Sequence, residues 1–155
     1  MLAKVKAQPD QYHTITPYLT VKGAAAAIDF YKKAFGATEI FRMPQPDGRV
    51  GHAEIKIGDS TIMLSDEFPE MDVVSPTTVG HTTAALLVYV DDADKTFSTA
   101  ISLGAKVNKP MADQFYGDRS GTVIDPFGHK WTIATHKEDV SPEEMEKRIA
   151  ALSKK

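Results

Sequence analysis

Apolar and polar positions along this chain fall into one succession twice. Ile15 to Val21 reads as a strand. After Gly23, the residues Ala26, Ile28, Phe30, Tyr31 and Phe35 contain the three- and four-residue steps of an amphipathic helix, which Gly36 stops. Thr38 to Met43 and Val50 to Ile57 follow as strands around a Pro44-Gln45-Pro46-Asp47-Gly48 turn, and Gly58-Asp59 turns the chain into a further strand, Thr61 to Ser65. The second succession has a strand over Thr83 to Val90, a helix from Ala93 to Leu103, then strands over Lys106 to Met111, Gly121 to Ile124 and Lys130 to Thr135. Gly104 follows Gly36 by 68 residues, and at that offset Ile28 falls on Thr96 and Phe30 on Ser98. The spacing of elements is kept while the side chains have drifted, as expected of a repeated βαβββ unit.

The pattern divides the chain into a tail (1–13), a first module (14–66), a linker rich in Pro, Asp, Glu, Ser and Thr (67–81), a second module (82–136) and a C-terminal helix (137–155), with one domain expected overall. Ser141-Pro142-Glu143-Glu144 is a capping box with proline at the first helical position, and the helix it starts carries Met145, Ile149 and Leu152 on one side.

Composition narrows the chemistry. The chain has no cysteine, which removes disulfides, thiolate nucleophiles and zinc-thiolate sites together. A formal net charge of -3 and no Lys/Arg cluster argue against a nucleic-acid binder. The longest apolar stretch falls far short of the ~20 residues of a membrane-spanning helix, and the first residues hold no apolar core of signal-peptide length. A cytoplasmic protein without membrane or nucleic-acid partners is expected.

Two segments carry a resemblance: Thr16-Pro17-Tyr18-Leu19-Thr20-Val21 leading to Phe30-Tyr31-Lys32-Lys33-Ala34-Phe35-Gly36-Ala37, and Asp125-Pro126-Phe127-Gly128-His129-Lys130-Trp131. They resemble the vicinal oxygen chelate superfamily of glyoxalases, bleomycin-resistance proteins and extradiol dioxygenases. The ending Thr135-His136-Lys137-Glu138-Asp139-Val140-Ser141-Pro142-Glu143-Glu144-Met145 looks like its PhnB-like branch. The resemblance implies an α+β fold in which two βαβββ modules form an incomplete barrel, usually finished as a homodimer, with a cup that takes a small molecule.

In metal-dependent members of that superfamily, His or Glu side chains on the first and last strands of each module hold a divalent ion. Carried over residue by residue, those positions are Thr16, Met63 to Ser65, Ala85 and Thr132, and none is a His, Asp or Glu. No cofactor is therefore expected, and transfer of glyoxalase or dioxygenase activity is weakened.

Other residues remain as candidates. His52 and Glu54 share a strand face and suit an acid/base pair or two ligands of an unusual metal site. On the other reading they face solvent while Ala53, Ile55 and Ile57 face the core. Tyr18 and Thr132 are candidate donors to a polar ligand in the cup, with His136 sharing the parity of Thr132. Tyr116 and Arg119 are candidates at the cup mouth, where Arg119 would clamp a carboxylate or phosphonate through two hydrogen bonds or instead make a surface ion pair. Two functions stay open: a small-molecule binding protein without the usual metal, or a metal-dependent lyase or dioxygenase with a shifted ligand set that includes His52 and Glu54.

Overall fold

The computed structural model describes residues 5–153. The first module runs β1 (Tyr18–Val21), α1 (Ala24–Phe35), β2 (Thr38–Pro44), β3 (Val50–Ile57) and β4 (Ser60–Asp66). A single 3-10 turn (Pro69–Met71) and the short helix α2 (Pro76–Val79) lead to the second module: β5 (Ala85–Tyr89), α3 (Ala93–Ser102), β6 (Lys106–Asp113), β7 (Asp118–Ile124) and β8 (Lys130–His136), followed by α4 (Pro142–Leu152). The chain divides into two compact units between His81 and Thr82. Each holds one mixed sheet, ordered β1-β4-β3-β2 in the first and β5-β8-β7-β6 in the second. The first strand of each module pairs in parallel with the last, and the remaining pairs are antiparallel. Neither sheet closes on itself, so the fold is α+β with no closed barrel among the described residues.

In each module one sheet face is covered by its helix. Val21, Ile55, Leu64 and Ala53 are fully buried together with Ala24, Ala27, Ile28 and Tyr31 of α1. In the second module Val123, Ile133 and Trp131 are buried, and Gly121 lies so close to Phe97 of α3 and Met111 of β6 that any Cβ would meet both. That glycine is required by the close approach of helix to strand.

The last strand of each module also caps the helix that follows the first. The Asp66 carboxylate at the end of β4 accepts the Gly23 and Ala24 amides through Oδ1 at 2.8 Å each, and the Val50 amide through Oδ2 at 2.7 Å. In the second module Thr135 Oγ1 accepts the Ala93 amide at 2.9 Å and donates to the Val90 carbonyl at 2.8 Å. Helix N-termini leave amides unpaired, and here a distant strand supplies the acceptors.

Three expectations need adjustment. β1 starts at Tyr18 rather than Ile15, since Pro17 has no N–H to give and only its carbonyl joins the ladder, accepting from the Met63 amide at 2.9 Å. β7 starts at Asp118, three residues before the expected Gly121, because its pairing with β8 continues to Asp118↔His136. The 67–81 segment is an ordered loop: Phe68 bridges Val73, and the Glu67 carboxylate collects the Ser75 amide and the Ser75 and Thr78 hydroxyls.

Candidate functional site

Strand alternation puts the chemistry of the first module on the face opposite α1. Pairing aligns Tyr18 with Met63, Met63 with Glu54, and Glu54 with Phe41, so these four form a row across the sheet, and Met43 stands opposite His52 in the next row. Ala53, Ile55 and Ile57 are buried under the helix while His52 and Glu54 occupy the other face. The face away from the core also carries Tyr18, Thr20 and Ser65, which line a cavity whose wall does not include His52 or Glu54 themselves.

His52 is held at both ring nitrogens. Its Nδ1 lies 2.9 Å from the Tyr18 hydroxyl and its Nε2 3.2 Å from Glu54 Oε1. The Tyr12 hydroxyl donates to the same Glu54 oxygen at 2.7 Å, and that bond pushes the Tyr12 phenol above its usual range. In the neutral imidazole, an accepting carboxylate places the ring proton on Nε2 toward Glu54 and leaves Nδ1 to accept from Tyr18. The side chains of His52 and Glu54 are 24% and 12% exposed. Rings of Tyr18 and Phe41 flank the imidazole at centroid separations of 5.5 and 6.2 Å.

Tyr18 also lines a cavity of about 510 Å³, together with Thr20 of β1 and Ser65 of β4. The ordered loop supplies an apolar wall of Phe68, Met71 and Val73, and the β2–β3 turn contributes Gln45 above Gly51. The volume falls within the range of small-molecule sites.

In the second module the face opposite α3 carries Tyr89, Asp118, Ser120, Thr122, Thr132 and His136. The buried Asp118 carboxylate accepts from the Tyr89 hydroxyl at 3.0 Å and meets His136 Nδ1 at 2.7 Å, while His136 Nε2 meets Asp139 at 2.8 Å. Asp118 first, then Asp139, raises the pKa of His136. Thr132 shares a 3.0 Å hydroxyl contact with Thr122, and both line a cavity of about 130 Å³ with Tyr116, Gln114 and Lys109.

Tyr18, His52 and Glu54 are therefore brought together, whereas Thr132 and Tyr116 line a separate, smaller cavity in the other module. Arg119 alternates away from Asp118 and Ser120 onto the helix-bearing face. There its Nε and Nη2 engage Asp94 of α3 and its Nη1 engages Asp113, ion pairs that hold its pKa above the ordinary guanidinium value. Its three nitrogens are thus occupied by the protein's own carboxylates, in an ion-pair network rather than at a cavity mouth.

Tyr12, Phe68, Met71 and Val73 were invisible as site residues, since they sit in segments without periodicity. Only their apolar or aromatic character among polar neighbours marked them.

The positions to which the resemblance assigns metal ligands carry no His, Asp or Glu. Thr16 precedes β1, Met63 offers a thioether, Leu64 is buried, Ser65 offers a neutral hydroxyl in the cavity wall, Ala85 has no side-chain donor and Thr132 is paired with Thr122. His52 and Glu54 supply two donors that are engaged with each other, and no group of three or more His, Asp or Glu suited to a metal occurs among the described residues.

The paired βαβββ modules and the open cavity-bearing face define a glyoxalase-type protein, and the chain belongs to the Glyoxalase/Bleomycin resistance protein/Dioxygenase superfamily, whose family model matches residues 11–133. It is 42% identical over 142 residues to the Mycobacterium bovis protein Mb0911c, a match covering 90% of this chain and 91% of that one. The crystal structure of the Arabidopsis thaliana At5g48480 product superposes with a TM-score of 0.65 at 25% identity, covering 79% of this chain and 98% of that one. A Bacillus cereus PhnB protein shares the fold, with a TM-score of 0.62 at 18% identity and coverage of 79% and 99%.

Proposed function

We propose that the protein binds a small organic molecule in the first module's cavity, with Tyr18 as its principal hydrogen-bonding contact, and that it does so without the superfamily's usual metal. The observation that carries this reading is that Tyr18 belongs both to the wall of a 510 Å³ cavity and to the hydrogen-bond chain of His52 and Glu54. A cavity walled by Phe68, Met71 and Val73 gives an apolar ligand surface to bury, and the few polar groups fix its orientation.

A library of small aromatic and heteroaromatic compounds, screened by thermal shift, tests the reading. A ligand at a hundredfold excess over its Kd stabilises the folded chain by about 2.7 kcal/mol. Met71→Asp should abolish that stabilisation without lowering the melting temperature of the unliganded protein, since Met71 is largely exposed. No stabilising compound in the library would refute the reading. Metal analysis of protein purified without chelators addresses the rival: stoichiometric divalent ion, lost in His52→Ala and Glu54→Ala, would favour a shifted metal site.

We infer also that the chain assembles as a homodimer in the cytoplasm. Exposed Leu87, Tyr89 and Val107 on the second sheet and Ile149 and Leu152 on α4 support the first part. Among the described residues no helix is long and apolar enough to cross a membrane. Sedimentation at micromolar concentration should give twice the chain mass; a monomer would exclude the dimer.

A further inference from the structure

The direction of the hydrogen bonds around His52 carries chemistry beyond binding. In the neutral tautomer that the geometry favours, Glu54, already accepting from Tyr12, takes the His52 proton on Nε2, which leaves Nδ1 as a base aimed at the Tyr18 hydroxyl. Tyr18 is half-exposed and lines the cavity, whereas His52 and Glu54 are mostly covered. A proton taken up at the cavity wall therefore has a defined path inward, and the imidazolium that results faces a carboxylate.

The lining also specifies charge. Tyr18, Thr20, Gln45, Ser65, Phe68, Met71 and Val73 include no ionic group. Arg49, the cation next to this wall, stacks over the Phe68 ring at 4.0 Å and is engaged by Asp47, Glu70 and the Glu67 carbonyl. The Gln45 amide lies against Gly51 in a space that any Cβ would occupy, and it offers a neutral donor to a carbonyl oxygen in the same cavity.

We propose that the occupant of this cavity is an uncharged aryl or arylalkyl ketone, and that Tyr18 is the catalytic residue that removes and returns a proton at its α-carbon, with His52 and Glu54 as the relay behind it. This rests on the ligand reading above. In the step, the α C–H bond breaks and its proton bonds to Tyr18 Oη, while the hydroxyl proton of Tyr18 passes to His52 Nδ1. The C–H electron pair becomes the carbon–carbon double bond of an enolate, and the carbonyl π pair moves to oxygen, toward the Gln45 amide. Reversal returns a proton to the α-carbon or to a conjugated position. The net change is proton exchange or double-bond isomerisation, and atoms and electrons balance without a co-reactant.

Phenylacetone serves as the probe. The full chain is incubated with it in deuterium oxide, loss of the benzylic proton signal is followed by NMR, and binding is followed in parallel by thermal shift. Wild-type protein is expected to bind the ketone and to accelerate exchange at least about 10²-fold over buffer. His52→Gln, which lies behind the cavity wall, should lose that acceleration and keep the thermal shift, while Tyr18→Phe, which keeps the ring but removes the hydroxyl contact, should lose the acceleration and part of the thermal shift. Glu54→Gln should lose most of the exchange with binding intact, a split that a purely structural role for these side chains would not give. Ketone-induced stabilisation with exchange no faster than buffer, or a Tyr18→Phe variant exchanging like wild type, overturns the relay and leaves the binding reading standing. Neither stabilisation nor exchange with phenylacetone overturns the ketone assignment, while the wider library separately decides whether the cavity binds anything.

Discussion

Three polar side chains, two of them the buried Asp66 and Asp125, hold this chain's turns and helix starts by accepting hydrogen bonds from backbone amides. Asp66 gathers the amides of Gly23, Ala24 and Val50, and Asp125 gathers those of Phe127 and His129 together with Trp131 Nε1 at 2.9 Å. Thr135 does the same for Ala93. Asp66→Ala should therefore cost roughly 3 kcal/mol in urea unfolding, since removing one acceptor strands three donors, two of them buried. The link from Asp125 to Trp131 leaves no sign in the sequence, because it joins a turn residue to a strand residue through side chains alone. His136 gives a pH prediction. Its pKa is raised above the usual imidazole value by Asp118 and Asp139, so its stabilising contribution is full below about 6.5 and is lost as pH rises through the raised value. The stability difference between wild type and His136→Gln should accordingly shrink from acid to mildly alkaline pH. A difference that grows would contradict the ion pairing.

Among elements, helices were read from sequence more reliably than their surroundings. The spacing of Ala26 to Phe35 places α1 within two residues, and the Ser141-Pro142 capping box marks the start of α4 although the C-terminal helix is expected from 137, because local periodicity and capping determine a helix. The Ser141 hydroxyl accepts the Glu144 amide at 3.3 Å, while the Glu144 carboxylate turns to Arg148. α4 has no buried residue, and its attachment runs through Arg148, which binds Glu138 and the Phe115 carbonyl. Arg148→Ala should leave the sheets intact and speed amide exchange over 142–152, measurable by mass spectrometry. Gly117 ties the segment entering α4 to the β6–β7 turn: its carbonyl accepts the Lys137 and Glu138 amides, its φ is 102°, and a Cβ would strike the Glu138 carbonyl. Gly117→Ala should lower stability by about 2 kcal/mol or more, combining left-handed strain with that clash. The loop over 67–81 escaped the sequence reading since its order comes from Glu67 hydrogen bonds and one bridge, neither of which leaves a periodic trace.

At the scale of the whole molecule, a repeat with drifted side chains has become two modules of different chemistry. One holds the larger cavity and the Tyr12–Glu54–His52–Tyr18 chain; the other holds a small cavity and the Tyr89–Asp118–His136–Asp139 cluster. The amino-acid sequence by itself determined the two βαβββ modules and the places of α1 and α3, because periodicity and turn residues are local properties of the chain. It also determined that His52 and Glu54 share a face. Only the tertiary structure decided what that face meets. Pairing of β1 with β4 and of β4 with β3 carries Tyr18 across to His52, the aperiodic tail delivers Tyr12 to Glu54, and the loop after β4 walls the cavity. These are contacts between residues far apart in the chain, and strand register and loop hydrogen bonds set them.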